Sequence, residues 1–185
     1  DPPDRENISQ FKSSSVAGPD FIWVVTVDGE LMRISNQGVA HKVVQPAPVE
    51  VVTFTDSIHG FTADRKSYVW TTADGGNTWQ QVVAQQGGFE QPQQLIFNGA
   101  SQGWLVGVYK VWRTTDGGRS WQLRFSTGRA TDERIARLYY GAFPNSDTGW
   151  VTSTSNVLIH TNDGGLNWKT LTIEAPRMDL RDAFF

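Results

Sequence analysis

Apolar residues recur along the chain in short runs cut by Gly, Asn, Asp and Ser. The clearest stretch lies between residues 94 and 125. Residues 94–98, 103–108, 110–115 and 120–125 are rich in Leu, Ile, Val, Phe and Trp. Asn98-Gly-Ala-Ser101, a tight reversal near Tyr109, and Asp116-Gly-Gly118 separate them. β-formers bounded by turn residues read as strands. An apolar period near 3.6 residues persists nowhere, so the pattern predicts almost no helix. The best candidate for a helical turn is residues 132–138.

This four-strand phrase repeats. Thr72-Ala-Asp-Gly-Gly-Asn-Thr-Trp79, Thr114-Thr-Asp-Gly-Gly-Arg-Ser-Trp121 and Thr161-Asn-Asp-Gly-Gly-Leu-Asn-Trp168 match one another, with Trp-to-Trp spacings of 42 and 47 residues. A Gly-aromatic pair precedes each: Gly60-Phe61, Gly103-Trp104 and Gly149-Trp150. Seven residues before each of those aromatics stands Phe54, Phe97 or Phe143. A worn copy comes first. There Trp23 is the aromatic, Asn36 stands for the Asp and His41 for the Trp. Phe185 lies 42 residues beyond Phe143 and reads as the first strand of a fifth copy.

Four antiparallel strands per repeat of about 40–45 residues is the period of a propeller blade. The expected fold is therefore an all-β propeller of four-stranded antiparallel blades in one domain. Blades fall at roughly 8–48, 49–91, 92–136 and 137–178, with 179–185 opening another. Ring propellers of this kind usually hold more blades, so the expectation is a fragment, a trimmed product or half of an assembly. Open blade edges would then favour self-association.

The repeated segments resemble the Asp-box, or BNR, family, whose pattern is Ser/Thr-x-Asp-x-Gly-x-Ser/Thr-Trp. The second and third copies match throughout, and the fourth departs only at Asn167. The longer phrase, Gly-Trp followed by Thr-Asp-Gly-Gly and Trp, looks most like bacterial propellers related to photosystem II stability and assembly factors. In the related families the box sits at the propeller rim, away from the central site. The resemblance thus implies scaffold roles for Asp74, Gly76, Trp79, Asp116, Gly118, Trp121, Asp163, Gly165 and Trp168. It also points to bacteria and to an extracytoplasmic place, periplasmic, lumenal or secreted.

The box makes physical sense without a reaction. An Asp carboxylate accepts N–H groups of its own turn, and Ser or Thr hydroxyls add local bonds. The paired glycines supply positive φ. The Trp carries apolar area into the packing between strands or blades.

Composition narrows the function. The net charge is −3, with 19% charged residues, which argues against a nucleic-acid binder. No apolar run is long enough for a membrane-spanning helix. Cysteine is absent, which removes disulfides, thiol catalysis and Cys-based zinc sites. The Gly-Gly pairs precede strands rather than helices, so they are not phosphate loops. His41, His59 and His160 show no ligand spacing. No metal, cofactor or catalytic residue is expected. Sialidases share the box, yet the six Glu residues form no recognisable motif and the Arg segment of that family has no counterpart.

Function then falls to surfaces. The face opposite the boxes carries the second-to-third turns and the inter-blade connections, the usual binding side of a propeller. Its candidate residues are Arg65, Lys66, Tyr109, Lys110, Arg129, Arg134, Arg137 and Tyr139. Arg and Tyr are interface anchors. The leading expectation is a noncatalytic scaffold for a protein partner, in assembly of a larger complex. The alternative is a carbohydrate-binding or glycoside-cleaving domain.

Overall fold

A computed structural model describes residues 10–44, 47–64, 66, 68–82, 91–129, 136–154 and 156–174. It contains four four-stranded sheets, each an antiparallel meander in sequence order. Blade one is β1 (Phe11–Val16), β2 (Phe21–Thr26), β3 (Leu31–Ser35) and β4 (Ala40–Val43). Blade two is β5 (Val51–Phe54), β6 (Gly60–Ala63), β7 (Val69–Thr72) and β8 (Gln80–Val82). Blade three is β9 (Pro92–Asn98), β10 (Gln102–Gly107), β11 (Lys110–Thr114) and β12 (Gln122–Ser126). Blade four is β13 (Leu138–Ala142), β14 (Gly149–Ser153), β15 (Val157–Thr161) and β16 (Lys169–Thr172).

One local expectation, the helical turn over 132–138, falls mostly outside the described residues. Among the described residues the helical element is a 3-10 turn at Thr127–Arg129, and Leu138 opens β13. Leu138 is held in the sheet by its pairing with Ser153. Residues 132–135 lie outside the described residues. No described helix is long and apolar enough to cross a membrane.

The core is three layers between four sheets. Trp23, Val25 and Leu31 of blade one pack on Val49, Val52 and Phe54 of blade two. Phe61, Ala63 and Val69 meet Leu95, Leu105, Trp112 and Trp121. Trp104, Val106 and Val111 meet Leu138, Phe143, Val151, Val157 and Ile159. Each inner blade is therefore apolar on both faces. Leu105 looks back to blade two, while Trp104 and Val106 look forward to blade four. Strand alternation assigns the two sets to opposite faces.

One aromatic motif recurs at each junction. The second-strand aromatic of one blade is stacked by the Phe of the next blade's first strand. Trp23 stacks on Phe54 (centroids 4.6 Å apart), Phe61 on Phe97 (3.6 Å) and Trp104 on Phe143 (4.2 Å). The box Trp of the following blade closes the cluster edge-on: Trp79 on Trp23, Trp121 on Phe97, and Trp168 on Trp104. The glycine of each Gly-aromatic pair now has a reason. A Cβ on Gly60 or Gly103 would sit 2.5 or 2.7 Å from the Phe54 or Phe97 ring, and one on Gly149 would strike Phe143. Only glycine lets the ring lie flat over the strand.

Inner edges are tied by side chains. Ser13 Oγ accepts the Val52 N–H at 3.1 Å and Ser15 Oγ accepts that of Phe54 at 2.8 Å. Gln94 Oε1 accepts the Gly141 N–H, and Asn98 Nδ2 donates to the Phe143 carbonyl, both at 2.8 Å. First-strand edges that would otherwise stay unpaired are thereby satisfied. Residues of β1, β5, β9 and β13 line one cavity of about 500 Å³.

Candidate functional site

The Asp boxes join third and fourth strands at one end of each sheet. Asp116 Oδ1 accepts the Ser120 N–H at 2.9 Å and the Thr114 hydroxyl at 2.8 Å, and Oδ2 accepts the Ser120 hydroxyl at 2.6 Å. Asp74 does the same with Thr78 and Thr72. In the fourth copy the Asn167 amide takes the hydroxyl's part, donating to Asp163 Oδ2 at 2.8 Å. Both carboxylate oxygens are thus consumed inside the turn. The Thr78 hydroxyl and N–H and the Thr72 hydroxyl hold the Asp74 carboxyl at about 2. The N–H and amide of Asn167, with the Thr161 hydroxyl, hold Asp163 at about 2. For Asp116 burial pushes upward, yet the Ser120 and Thr114 donors bring the net shift below the usual value. Depressed, fully bonded carboxylates of this kind fasten turns and are poor proton donors.

Gly76 is the point where turn and core meet. It has φ of +79°, and a Cβ there would run into the Trp23 ring of the preceding blade. The worn copy makes do with less. The Ser35 hydroxyl accepts the Val39 N–H at 3.2 Å, and Asn36 turns away toward Asp20. His41 is exposed.

Arg113 is a residue that repeat-reading missed. It pairs across the sheet with Trp104, lies 5.3 Å over that ring, and donates to the Gly164 carbonyl of the next blade's box at 3.1 Å. Its only sequence signal was its place opposite the Gly-aromatic pair. Arg33 occupies the same place against Trp23, at 5.9 Å.

At the other end of the sheets lie the second-to-third turns. Tyr109, 40% exposed, fills the turn between β10 and β11. Its carbonyl accepts the Thr127 N–H at 2.9 Å, which draws the turn after β12 against it. The Leu138 N–H donates to the Val108 carbonyl at 2.7 Å, and the Thr154 N–H to that of Arg137 at 3.0 Å. These bonds hold the main chain of Val108 and Tyr109 against that of Thr127 and Leu138 at the junction of blades three and four. Arg137 is exposed and Tyr139 half-buried. Lys110 Nζ lies 5.9 Å from the centre of the Trp112 ring. Lys66 is exposed on the corresponding turn of blade two, away from that junction. Arg65, Arg134 and the Arg129 side chain lie outside the described residues.

Beside Lys66 stands Asp64, 1% exposed. Its Oδ1 accepts the Lys66 and Tyr68 N–H groups at 2.8 and 3.0 Å, while Oδ2 is buried with no hydrogen-bond partner among the described residues. Burial raises its carboxyl above the ordinary value. The same place is held by Thr26, whose hydroxyl accepts the Glu30 N–H at 3.1 Å, and by Ser153. Among the described residues no group of three or more His, Cys, Asp or Glu is placed to hold a metal ion.

Residues 88–177, blades three and four, match the family model described as photosynthesis system II assembly factor YCF48. The chain is an Asp-box propeller resembling that assembly factor. Solved structures agree on the fold. YCF48 from Cyanidioschyzon merolae is 12% identical with a TM-score of 0.72, over 93% of this chain and 59% of that one. YCF48 bound to D1 peptide is 13% identical with a TM-score of 0.55, over 89% and 83%. A streptogramin B lyase is 12% identical with a TM-score of 0.73, over 96% and 59%. The Asp-box propeller described here thus spans 59% of two of these relatives. Among curated proteins none matches it in sequence.

Proposed function

We propose that this Asp-box propeller is a noncatalytic scaffold that binds a peptide segment of a protein partner during assembly of a larger complex. One coincidence carries the reading. The family match falls on blades three and four, and Tyr109, Lys110, Arg137 and Tyr139 stand on those same blades. A relative of this fold holds a D1 peptide, so a peptide is the partner to try first.

The glycoside-cleaving alternative asks for two carboxyl groups facing one bond. The central cavity is lined by Ser13, Ser14, Thr53, Gln93, Gln94 and Tyr140, with Lys12 and apolar neighbours. Among the described residues that lining offers hydroxyls and amides but no carboxyl pair, and it lends cleavage no support.

Calorimetric titration of a D1 peptide into the protein tests the proposal. Micromolar binding is expected, with Tyr109→Ala and Arg137→Ala each weakening it roughly tenfold, the cost of truncating a moderate anchor. Binding untouched by both substitutions would move the site elsewhere. No binding to the folded protein would sink the peptide assignment.

A further inference from the structure

One place in the repeat breaks the pattern at a cost. Three residues after the second-strand aromatic stand Thr26, Asp64, Gly107 and Ser153 in blades one to four. The two hydroxyls are settled within their own sheets. Thr26 accepts the Glu30 N–H, and Ser153 donates to the Val157 carbonyl at 2.9 Å. Gly107 has no side chain to satisfy. Asp64 brings a carboxyl, and it is 1% exposed. Its Oδ1 is taken by the Lys66 and Tyr68 N–H groups. Among the described residues Oδ2 has neither donor nor acceptor, so neither protonation state satisfies it. A buried polar atom left so is destabilising and calls for an explanation, and local rules broken at such a cost mark functional sites.

Asp64 lines a cavity of about 280 Å³ where blades one and two meet. Main-chain bonds build it. The Val49 N–H donates to the Gly29 carbonyl at 2.9 Å, and the Glu50 N–H to that of Ala63 at 2.8 Å. Gly29, with φ of +85°, lets Pro48 close in, and a Cβ there would lie 2.6 Å from Pro48 Cβ. Val27, Ala47 and Pro48 give the cavity apolar walls, while Asp28, Glu50 and Asp64 contribute carboxyls. Glu50 is paired with Lys12 at 2.9 Å, and its charge is felt by Asp64. Lys66 also lines the cavity and is exposed. Residues 28 and 66 belong to second-to-third turns, the end of the sheets that carries Tyr109.

We infer that this cavity binds a primary ammonium on an aliphatic stem, the lysine side chain of a protein partner; only the source of that lysine rests on the function proposed above. The stem lies along Val27, Ala47 and Pro48, and the ammonium donates to Asp64 Oδ2 beside Asp28. A guanidinium fork asks for both oxygens of one carboxylate, and Oδ1 of Asp64 is already taken. An ammonium is a compact charge whose three donors can be shared among carboxyls.

The probes are the acetyl-methylamides of lysine, norleucine and arginine. Each is titrated into 15N-labelled protein while the Lys66 and Tyr68 amide resonances are followed, since both N–H groups sit on the Asp64 carboxyl. The lysine probe should move both, with the millimolar dissociation constant of a single side chain. Norleucine keeps the stem without the charge and should bind at least roughly tenfold more weakly. Asp64→Asn should cost the lysine probe a similar factor. Asp28→Asn, a change at an exposed residue, should weaken it roughly threefold, and it reads the site even where Asp64→Asn fails to fold. Equal binding of lysine and norleucine, tighter binding of arginine, a lysine titration untouched by both variants, or no response to lysine would each overturn the inference. Tyr109→Ala should leave the lysine titration unchanged, so the two readings fail separately. A lysine response without D1 peptide binding keeps this site and removes the peptide assignment, and peptide binding without a lysine response does the reverse.

Discussion

At the scale of single residues, the carboxylates divide into two kinds with opposite responses to acid. Asp74 and Asp163, held at about 2 by their turn donors, stabilise the fold while ionised. Their folded values lie below the ordinary one. That contribution is complete above about pH 4 and is lost as pH falls toward 2. Urea midpoints should therefore drop across that window, and Asp74→Asn should flatten the drop. An unchanged slope would show that the boxes are not the acid-sensitive fastening. Asp64 behaves in reverse. Its folded value is raised, so ionisation works against the fold, and stability falls as pH climbs from the ordinary carboxylate value through the raised one. Asp64→Thr, which copies Thr26, removes a buried unpaired oxygen worth about 1–3 kcal/mol. It should raise the melting temperature by about 2–4 °C per kcal/mol at pH 7, with the gain shrinking below about pH 4. A loss of stability at pH 7 would mean that Oδ2 has a partner in solution.

At the scale of elements, the junction is the unit that matters. Strand count and turn chemistry were legible because apolar runs and Asp-Gly-Gly turns announce themselves locally. The purpose of the Gly-aromatic pair was not, since a repeat shows what recurs and not what touches it. Gly103 reads only as the first residue of a strand in sequence, whereas in three dimensions it is the floor beneath the Phe97 ring. That ring is held by Phe61 at 3.6 Å on one side and by Trp121 edge-on, so it has little room to move. Gly103→Ala should cost about 1–3 kcal/mol by overpacking. Adding Phe97→Leu should recover part of the loss, so that the double variant costs less than the sum of the two. Strict additivity in urea unfolding would refute the contact.

At the scale of the molecule, the sequence showed the blade period and the box but hid the asymmetry between the two ends. Val16 and His41 look like ordinary drift until Trp23 is seen to face inward and the opposite side of its sheet outward. The candidate surface was only partly legible. Tyr109 and Arg137 lie some 28 residues apart, and main-chain bonds from Thr127 and Leu138 close that gap. Lys66 shared the same topological argument yet sits on another blade, because a position within a repeat fixes the face and not the neighbour.

The edge-on aromatic pairs also give this chain an optical gauge of its own. Trp23 and Trp79 stand 6.4 Å apart at 83°, and Trp104 and Trp168 6.5 Å apart at 85°. Indole transitions this near couple, and the circular dichroism they produce depends on keeping that spacing. In the middle junction Phe61, stacked on Phe97 beside Trp121, stands where the first and last have Trp23 and Trp104. Loosening of the first or last junction therefore writes itself into the spectrum, while loosening of the middle one alone leaves both couplets in place.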